Sequence, residues 1–224
     1  MTDAKDKKPD RKVSLPQKYH DRLFAPSSCL AMITTVDGVG RVNAAAFGTC
    51  TRVHHNPVYI AFATTVENDT ANNVIETGEF VVNLPAFDED MLGKVMVVGL
   101  PFAKGDNELM HAGLTAIGSD TVRPPRILEC PRHFECKVDW TKEWSGGRLM
   151  VCGLVSAASA DADCIDAKGY INWAKVRPAH YCGAPYGNGN MFVKAYETVA
   201  VDVPYRGRAF DQFDAIRKSF FDDM

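Results

Sequence analysis

The sequence predicts a mainly β protein in which short antiparallel strands form a barrel and helices lie at its periphery. Apolar, β-branched runs bounded by turn residues occur at residues 29–36 and 58–63. Asp37-Gly38, followed by Gly40, is typical of a hairpin turn, because glycine adopts a positive φ without strain. Strands do not alternate with long helices, which argues against a doubly wound sheet. A closed barrel is favoured, because closure leaves no exposed strand edge.

In the first half of the chain, the pattern predicts a compact antiparallel unit with one inserted helix. The predicted elements begin with a strand at 29–36 and its partner at 41–47. A loop follows, with small residues at 48–51, and it ends at Asn56-Pro57. The remaining elements are a strand at 58–63, a helix at 70–77 and a strand at 79–84. Asp69 is the predicted N-cap of this helix, and Gly78 is a suitable residue to end it.

In the second half, helices come first and strands follow. The predicted elements are a helix at 88–99 capped by Asp88, a helical turn at 107–112, strands at 131–140 and 148–158 joined by a turn at 145–147, and edge strands at 191–194 and 199–203. Residues 178–190 are glycine-rich and are expected to form a long loop.

The predicted domain organisation is one globular domain with a segment at each end. Residues 1–14 are rich in charge and are expected to be a disordered tail, and residues 15–205 form the domain. Phe210, Phe213, Ile216 and Phe220 recur at helical spacing, so residues 206–224 are expected to form an amphipathic helix. This helix would pack on the barrel or on a partner subunit.

Composition excludes several classes of function. The chain of 224 residues has a net charge of −3, which argues against nucleic-acid binding, since that function normally needs a basic face. No apolar run is long enough to cross a membrane. Seven cysteines without a CxxC pair, and no secretion signal, predict free thiols in the cytoplasm.

Two stretches predict a binding pocket. Residues 43–51 carry no charge and have mostly small side chains, which allow a flat ligand to approach the backbone closely. Residues 68–78 form a short helix with a polar start, and a helix N-terminus offers free N–H groups and positive potential to an anion. Together the two stretches predict a pocket for a flat ligand that carries a phosphate.

Several short segments occur in the order and spacing of one known family. They are Thr34-Thr35, Asp37-Gly38, Gly40-Arg-Val-Asn43-Ala-Ala-Ala-Phe47, Asn56-Pro57, Asp69-Thr70-Ala-Asn-Asn73-Val, Thr77-Gly78-Glu79-Phe80-Val-Val-Asn83-Leu84, Asn107-Glu108-Leu109, Ala112-Gly113-Leu114-Thr115, Glu129-Cys130-Pro131 and Phe134-Glu135-Cys136-Lys137-Val138. Over residues 25–158 the chain resembles the flavin reductase-like, FMN-binding split-barrel family. The resemblance implies a six-stranded antiparallel split β-barrel that forms a homodimer and binds FMN, or alternatively FAD.

The resemblance also implies positions for the cofactor. Backbone groups in the stretch from Ala46 to Thr51 would face the isoalloxazine ring, and Asn68, Thr70 and Asn73 would face the phosphate. The implied contact residues are Ala46, Phe47, Gly48, Thr49, Cys50, Thr51, Arg52, Asn68, Thr70 and Asn73. The chain departs from the family pattern at Gly48, where a serine is common, and at Asn68, where a basic residue is common. Arg52 is the alternative source of positive charge.

Three further residues are candidates for the reaction itself. The family often has a histidine near the nicotinamide site, and this chain has Arg148 at that position. His180 and Tyr181 lie in the glycine-rich stretch and could cover the ring or a substrate, or could be structural. No metal site is expected, because His133-x-x-Cys136 has no second pair of ligands at suitable spacing.

The function that the resemblance implies is reduction of FMN by NADH or NADPH, with hydride passing from the nicotinamide to flavin N5. Backbone donors from Gly48 to Thr51 would stabilise the negative charge that develops on the reduced ring. The reduced flavin would serve a monooxygenase or another electron-acceptor protein. The alternatives are a flavoredoxin-type electron carrier, a split-barrel protein that binds flavin or heme without turnover, and an FMN-dependent enzyme with its own small organic substrate.

Overall fold

The structure, a computed structural model, describes residues 28–144, 146–183 and 191–195, together with isolated positions outside these ranges. The strands are β1 (Cys29–Val36), β2 (Val42–His55), β3 (Val58–Thr65), β4 (Glu79–Leu84), β5 (Ala116–Ile117), β6 (Arg126–Ile127), β7 (Arg132–Trp144), β8 (Arg148–Ala160), β9 (Ala179–Tyr181) and β10 (Phe192–Lys194). The helices are α1 (Asp69–Thr77), α2 (Glu89–Val98), α3 (Glu108–Ala112) and α4 (Trp173–Val176), and Ala162–Cys164 forms a 3₁₀ turn. The predicted tail, apart from Ser14, and the aromatic residues of the predicted C-terminal helix lie outside the described residues.

Six antiparallel strands close into a barrel. The strand order is β1-β2-β3-β8-β7-β4, and β4 pairs back with β1 through Met32–Asn83, Ile33–Val82 and Thr34–Val81. β9 and β10 extend the sheet outside the barrel, where His180 pairs with Cys29 at the start of β1. The predicted fold, a six-stranded split barrel with peripheral helices, is confirmed.

β1 is buried on both faces, which explains its continuous apolar sequence. Because side chains alternate along a strand, Ala31 and Ile33 point into the barrel, while Leu30 and Met32 point outward. The inner core includes Phe47, Cys50, Phe62, Phe80, Cys136 and Val151. The outer core, under α2 and α3, includes Leu92, Val95, Leu109 and Ile127.

The predicted loop at residues 48–51 is wrong, because this stretch belongs to β2. The strand pairs with β1 from Val42 to Cys50 and then with β3 from Thr51 to His55. Small, uncharged residues therefore mark the place where one long strand changes partner. The turn at Asn56-Pro57 follows, and Val58 pairs with His55 across it.

The helix boundaries follow the cap residues. α1 begins after Asn68 rather than after the predicted cap Asp69, and it ends at Gly78, whose φ is 71°. The Asp88 side chain caps α2, as predicted, and the Asn107 side chain caps α3. No helix in the described part of the chain is both long and apolar enough to cross a membrane.

The hairpin of β7 and β8 is longer than predicted, and β10 lies within the predicted strand at 191–194. The predicted strand at 199–203 is outside the described residues, apart from position 199.

Two glycines should respond to alanine in opposite ways. A Cβ atom at Gly153 would lie 2.6 Å from Cε1 of Phe80, which is fully buried. We therefore expect Gly153→Ala to lower the free energy of unfolding by about 1–3 kcal/mol through overpacking. A Cβ at Gly93, in α2, would meet no atom within 4 Å, so Gly93→Ala should raise this free energy by up to about 1 kcal/mol. Urea denaturation of both variants tests the pair, and equal effects would contradict it.

Candidate functional site

A cavity of about 570 Å³ lies where β2, the start of α1 and the segment after α2 meet. This volume is within the range of small-molecule sites, about 300–1,000 Å³. Its lining residues are Asn43, Ala44, Ala45, Ala46, Phe47, Glu67, Asn68, Asp69, Thr70, Asn72, Val98, Gly99, Leu100, Pro101, Phe102, Lys104 and Glu108. The two stretches that the sequence predicted as a pocket therefore line the same cavity.

A second cavity, of about 290 Å³, adjoins the first along β2. The two share Ala46, Phe47, Gly99 and Leu100, so they form one groove. Gly48 and Tyr181 line the second part. A Cβ atom at Gly48 would lie 3.4 Å from Cδ1 of Tyr181, which is van der Waals contact, so Gly48 lies directly beside this aromatic side chain.

The edge of β2 next to the cavity is not occupied by another described strand. β3 pairs with β2 only from Thr51 onward, whereas the cavity lies beside residues 43–47. The Ala44 N–H points away from β1, because it donates to Oε2 of Glu108 at 2.9 Å. Backbone groups alternate in direction along an antiparallel strand, so the N–H and C=O of Ala46 point to this side too. The edge can therefore donate and accept hydrogen bonds to a planar ligand.

A buried polar network holds α1 against this edge. Asn43 Nδ2 donates to Thr35 Oγ1 at 3.0 Å and to Thr70 Oγ1 at 3.1 Å, and Asn73 Nδ2 donates to Thr35 Oγ1 at 3.0 Å. All four side chains are buried. Buried polar groups that satisfy one another fix a single geometry. Thr70 and Asn73 thus set the position of the helix, and Thr70 also lines the cavity.

The start of α1 faces the cavity. Asn68, Asp69 and Thr70 line it, and the first N–H groups of a helix have no acceptor within the helix. These groups attract an anion, while the carboxylate of Asp69 repels one. Lys104 also lines the cavity and supplies a positive charge. Since Glu67, Asp69 and Glu108 are on the wall as well, acidic side chains outnumber basic ones among the described lining residues.

The other predicted contact residues lie elsewhere on β2. Cys50 points into the barrel core, and burial raises the pKa of its thiol to about 12, so the thiol stays protonated. Thr49 is exposed, and its Oγ1 donates to the Ala63 carbonyl at 3.1 Å. Thr51 and Arg52 are exposed on the part of β2 that pairs with β3.

The three candidates for the reaction have different contacts. Arg148 Nη1 donates to Thr65 Oγ1 at 3.0 Å, two residues before Glu67 on the cavity wall. The His180 ring nitrogen Nδ1 lies 2.9 Å from the Ser28 carbonyl, which gives this side chain a structural contact. Of the three, Tyr181 alone borders the groove.

Sequence patterns missed part of the site. The segment Leu100–Phe102 forms one wall, and the Phe102 ring stacks on His111 with centroids 4.4 Å apart. Lys104 and Glu108 are also on the wall. Glu108 belongs to a segment that carries the family resemblance, but neither residue was predicted as a contact, because Glu108 reaches the cavity only through the packing of α3 on β2. Burial raises the pKa of Glu108 above its ordinary value, and the negative charges of Asp69 and Asp106 add to this effect.

The His133-x-x-Cys136 pair has a structural place. His133 Nε2 lies 2.8 Å from the Ile127 carbonyl, and Nδ1 lies 3.2 Å from Ser159 Oγ. Cys136 is buried in the barrel core. Within the described ranges, no three His, Cys, Asp or Glu side chains are grouped so that they could hold a metal ion.

A closed six-stranded barrel with a groove between an open strand edge and a helix N-terminus defines a split-barrel protein with a candidate small-molecule site. Comparison with known proteins identifies the family. The family model described as flavin reductase like domain matches residues 26–179. The chain therefore belongs to the flavin reductase-like, FMN-binding split-barrel family, as its motifs predicted.

Three solved structures have the same fold. The chain is 25% identical to 2-nitrobenzoate 2-nitroreductase NbaA of Pseudomonas fluorescens, with a TM-score of 0.72 over 86% of this chain and 96% of that one. It is 22% identical to nitrilotriacetate monooxygenase component B of Bacillus cereus, with a TM-score of 0.70 over 87% of this chain and 96% of that one. It is 20% identical to flavoredoxin of Desulfovibrio vulgaris (Miyazaki F), with a TM-score of 0.68 over 79% of this chain and 91% of that one.

Proposed function

We propose that this protein is an FMN-dependent oxidoreductase that transfers hydride from NADH or NADPH to flavin. The observation that carries the proposal is the groove itself, in which an open edge of β2 and the start of α1 face the same space. Family membership supports a flavin as the ligand. FMN is preferred over FAD, because one terminal phosphate matches one helix start.

The residues present fit FMN. Ala44, Ala45 and Ala46 are small enough for a ring to approach the backbone of β2, and the Ala46 N–H is the donor on that edge. The N–H groups at the start of α1, together with Lys104, would receive the phosphate. Leu100, Phe102 and Tyr181 would exclude water from the ring.

A flavin held in this groove would supply the redox chemistry, which is the acceptance of a hydride at N5. The protein contributes orientation and electrostatics: a preorganised backbone donor on β2 stabilises negative charge that develops on the ring. The Cys50 thiol takes no part in this arrangement, because it lies in the barrel core with a pKa of about 12. No side chain needs to act as an acid or base for hydride transfer in this arrangement.

An anaerobic absorbance experiment tests the reaction. We expect the FMN-loaded protein to lose its flavin absorbance quickly after one of the two nucleotides is added, which also identifies the donor. A flavin that resists both nucleotides, yet is reduced by dithionite, would contradict the reductase assignment. Free FMN without protein is the control.

There are two alternatives to the reductase function, and the same absorbance experiment can distinguish them. The Arg148 side chain already contacts Thr65 Oγ1 and stands where relatives often have a histidine, which favours a flavoredoxin-type electron carrier. The 25% identity to a 2-nitrobenzoate 2-nitroreductase favours an enzyme with its own small organic substrate. Resistance to both nucleotides supports the carrier, and reoxidation by a nitroaromatic compound supports the enzyme.

We further propose that the protein acts as a homodimer and passes electrons to a monooxygenase or another acceptor protein. Its seven cysteines are all free thiols, which suits a reducing cytoplasm. Light scattering of the purified protein tests the dimer, and a single-chain mass would contradict it.

A further inference from the structure

Glu108 is a buried carboxyl group on the wall of the proposed flavin site. Its Oε2 accepts a hydrogen bond from the Ala44 N–H at 2.9 Å, and the residue is 8% exposed. The other acidic side chains on the wall differ from it, since Glu67 is exposed and Asp69 is partly exposed. Glu108 is therefore the wall carboxyl whose charge water screens least.

The charged groups around Glu108 come from several elements. Asp69 lies in the first turn of α1, and Lys104 and Asp106 lie in the segment before α3. From α2, Lys94 is instead engaged with Asp90 at 3.2 Å. On the β2 side, the lining residues from Asn43 to Phe47 are neutral, and Arg41, just before β2, is paired with Asp37 at 2.6 Å. Acidic groups thus outnumber basic ones around the start of α1.

We infer that Glu108 couples binding of the phosphate-bearing flavin to the uptake of a proton by the cavity. The inference rests on the proposed function, because it assumes that the phosphate sits at the start of α1. Glu108 already interacts electrostatically with Asp69 in that turn, so a phosphate there adds negative charge near the carboxyl group. Added negative charge favours the protonated carboxyl group, and by linkage a protonated Glu108 favours the anionic ligand.

The proposed coupling makes the affinity for FMN depend on pH. Burial already raises the pKa of Glu108 in the free protein, and the bound phosphate would raise it further. The affinity for FMN should therefore fall as pH rises from the pKa of the free protein through that of the complex. Protonation need not break the contact with Ala44, because a carboxylic acid retains a carbonyl oxygen that accepts a hydrogen bond.

Glu108→Gln removes the charge but keeps an oxygen that can accept from Ala44. Glu67→Gln is the matched control, because it removes a wall carboxylate that is exposed. Because the pKa of Glu108 is raised above 4.5, we would measure the FMN dissociation constant of all three proteins from about pH 4.5 to about pH 8. We would repeat the series with riboflavin, which has the same ring and no phosphate. The FMN phosphate also titrates near pH 6, but this contribution is common to all three proteins.

In the native protein and in Glu67→Gln, we expect FMN binding to weaken more steeply with rising pH than in Glu108→Gln, by up to about tenfold per pH unit, which is the limit for one linked proton. Riboflavin binding should lack this difference. Equal FMN slopes in native protein and Glu108→Gln, or the same difference with riboflavin, would overturn the inference. If Glu108→Gln does not fold, calorimetry of the native protein in buffers of different ionisation enthalpy decides, and no proton uptake overturns it.

The result of the FMN binding experiment can be distinguished from that of the flavin reduction experiment. Failure of NADH and NADPH to reduce the flavin would overturn the reductase function and leave the binding linkage intact. No flavin binding at any pH would overturn both.

Discussion

Ala46→Phe should weaken FMN binding by about 100-fold or more, equivalent to about 2.7 kcal/mol. Ala46 lies where the two parts of the groove join. The space beside it is narrow, because a Cβ atom at Gly99 would lie only 3.7 Å from the Ala46 Cβ. An aromatic side chain there would occupy the space next to the β2 edge that we assign to the ring. The Ala46 backbone stays in place, so the loss would come from excluded volume. Fluorescence titration with FMN measures it.

Val39→Phe is the control for this substitution. Val39 is 81% exposed in the turn between β1 and β2, so the same aromatic group should have little effect there. The far-ultraviolet circular dichroism of both variants should match that of the native protein. If folded Ala46→Phe binds FMN as tightly as Val39→Phe does, the ring does not occupy this part of the groove.

The barrel was predictable because its signals are local. Asp37 and Gly40 close the first hairpin through a hydrogen bond from the Gly40 N–H to the Asp37 carbonyl at 3.0 Å. The apolar run of β1 already indicated burial on both faces, which closure of the barrel then explains. Gly78 marked the end of α1 through its positive φ. Each of these features depends on residues that are close in sequence.

The orientation of residues on β2 was not predictable, because it depends on an irregularity in strand pairing. Ala31 pairs with Phe47 and Cys29 pairs with Cys50. A step of two residues along β1 is therefore matched by a step of three along β2. This bulge breaks the alternation of side chains, and both Phe47 and Cys50 reach the inner core. A regular strand would have placed them on opposite faces. The placement of both side chains in the inner core therefore could not be inferred from strand alternation.

The acidic wall of the cavity was not predictable either, because it depends on distant packing. Asn107 and Glu108 read as an ordinary helix start, and Asn107 does cap α3. Only the placement of α3 against β2 brings Glu108 to Ala44, 64 residues away in sequence. The place of the start of α1 on the cavity wall was predictable, because the polar residues of one short segment form it.

Glu135→Gln should be the most destabilising of the single substitutions considered, with a loss of about 2–4 kcal/mol in the free energy of unfolding. Glu135 lies on β7 and is 1% exposed. Its carboxylate accepts from the Asp120 N–H at 2.9 Å, the Thr121 N–H at 2.6 Å and the Thr121 hydroxyl at 2.8 Å, and Arg126 Nε lies 3.8 Å away. An amide would place N–H donors against donors in a buried site.

The dependence of this loss on pH provides an independent test. Burial alone would raise the pKa of Glu135, but the hydrogen bonds from Asp120 and Thr121 and the charge of Arg126 outweigh it and lower the pKa below 4.5. A lowered pKa in the folded state stabilises the protein above the unfolded-state pKa, and this stabilisation disappears as pH falls through the folded-state value. Urea denaturation should therefore show the difference between native protein and Glu135→Gln at neutral pH, and the difference should shrink below about pH 4.5.

Glu129→Gln is the matched control, because Glu129 also accepts a backbone N–H, that of Thr115 at 3.0 Å, but is partly exposed. Water competes for its contacts, so its loss should be below about 1 kcal/mol. A cost for Glu135→Gln as small as that of Glu129→Gln would show that the 118–123 segment does not depend on this carboxylate. A cost that stays constant into acid would show that the lost interaction is packing rather than charge.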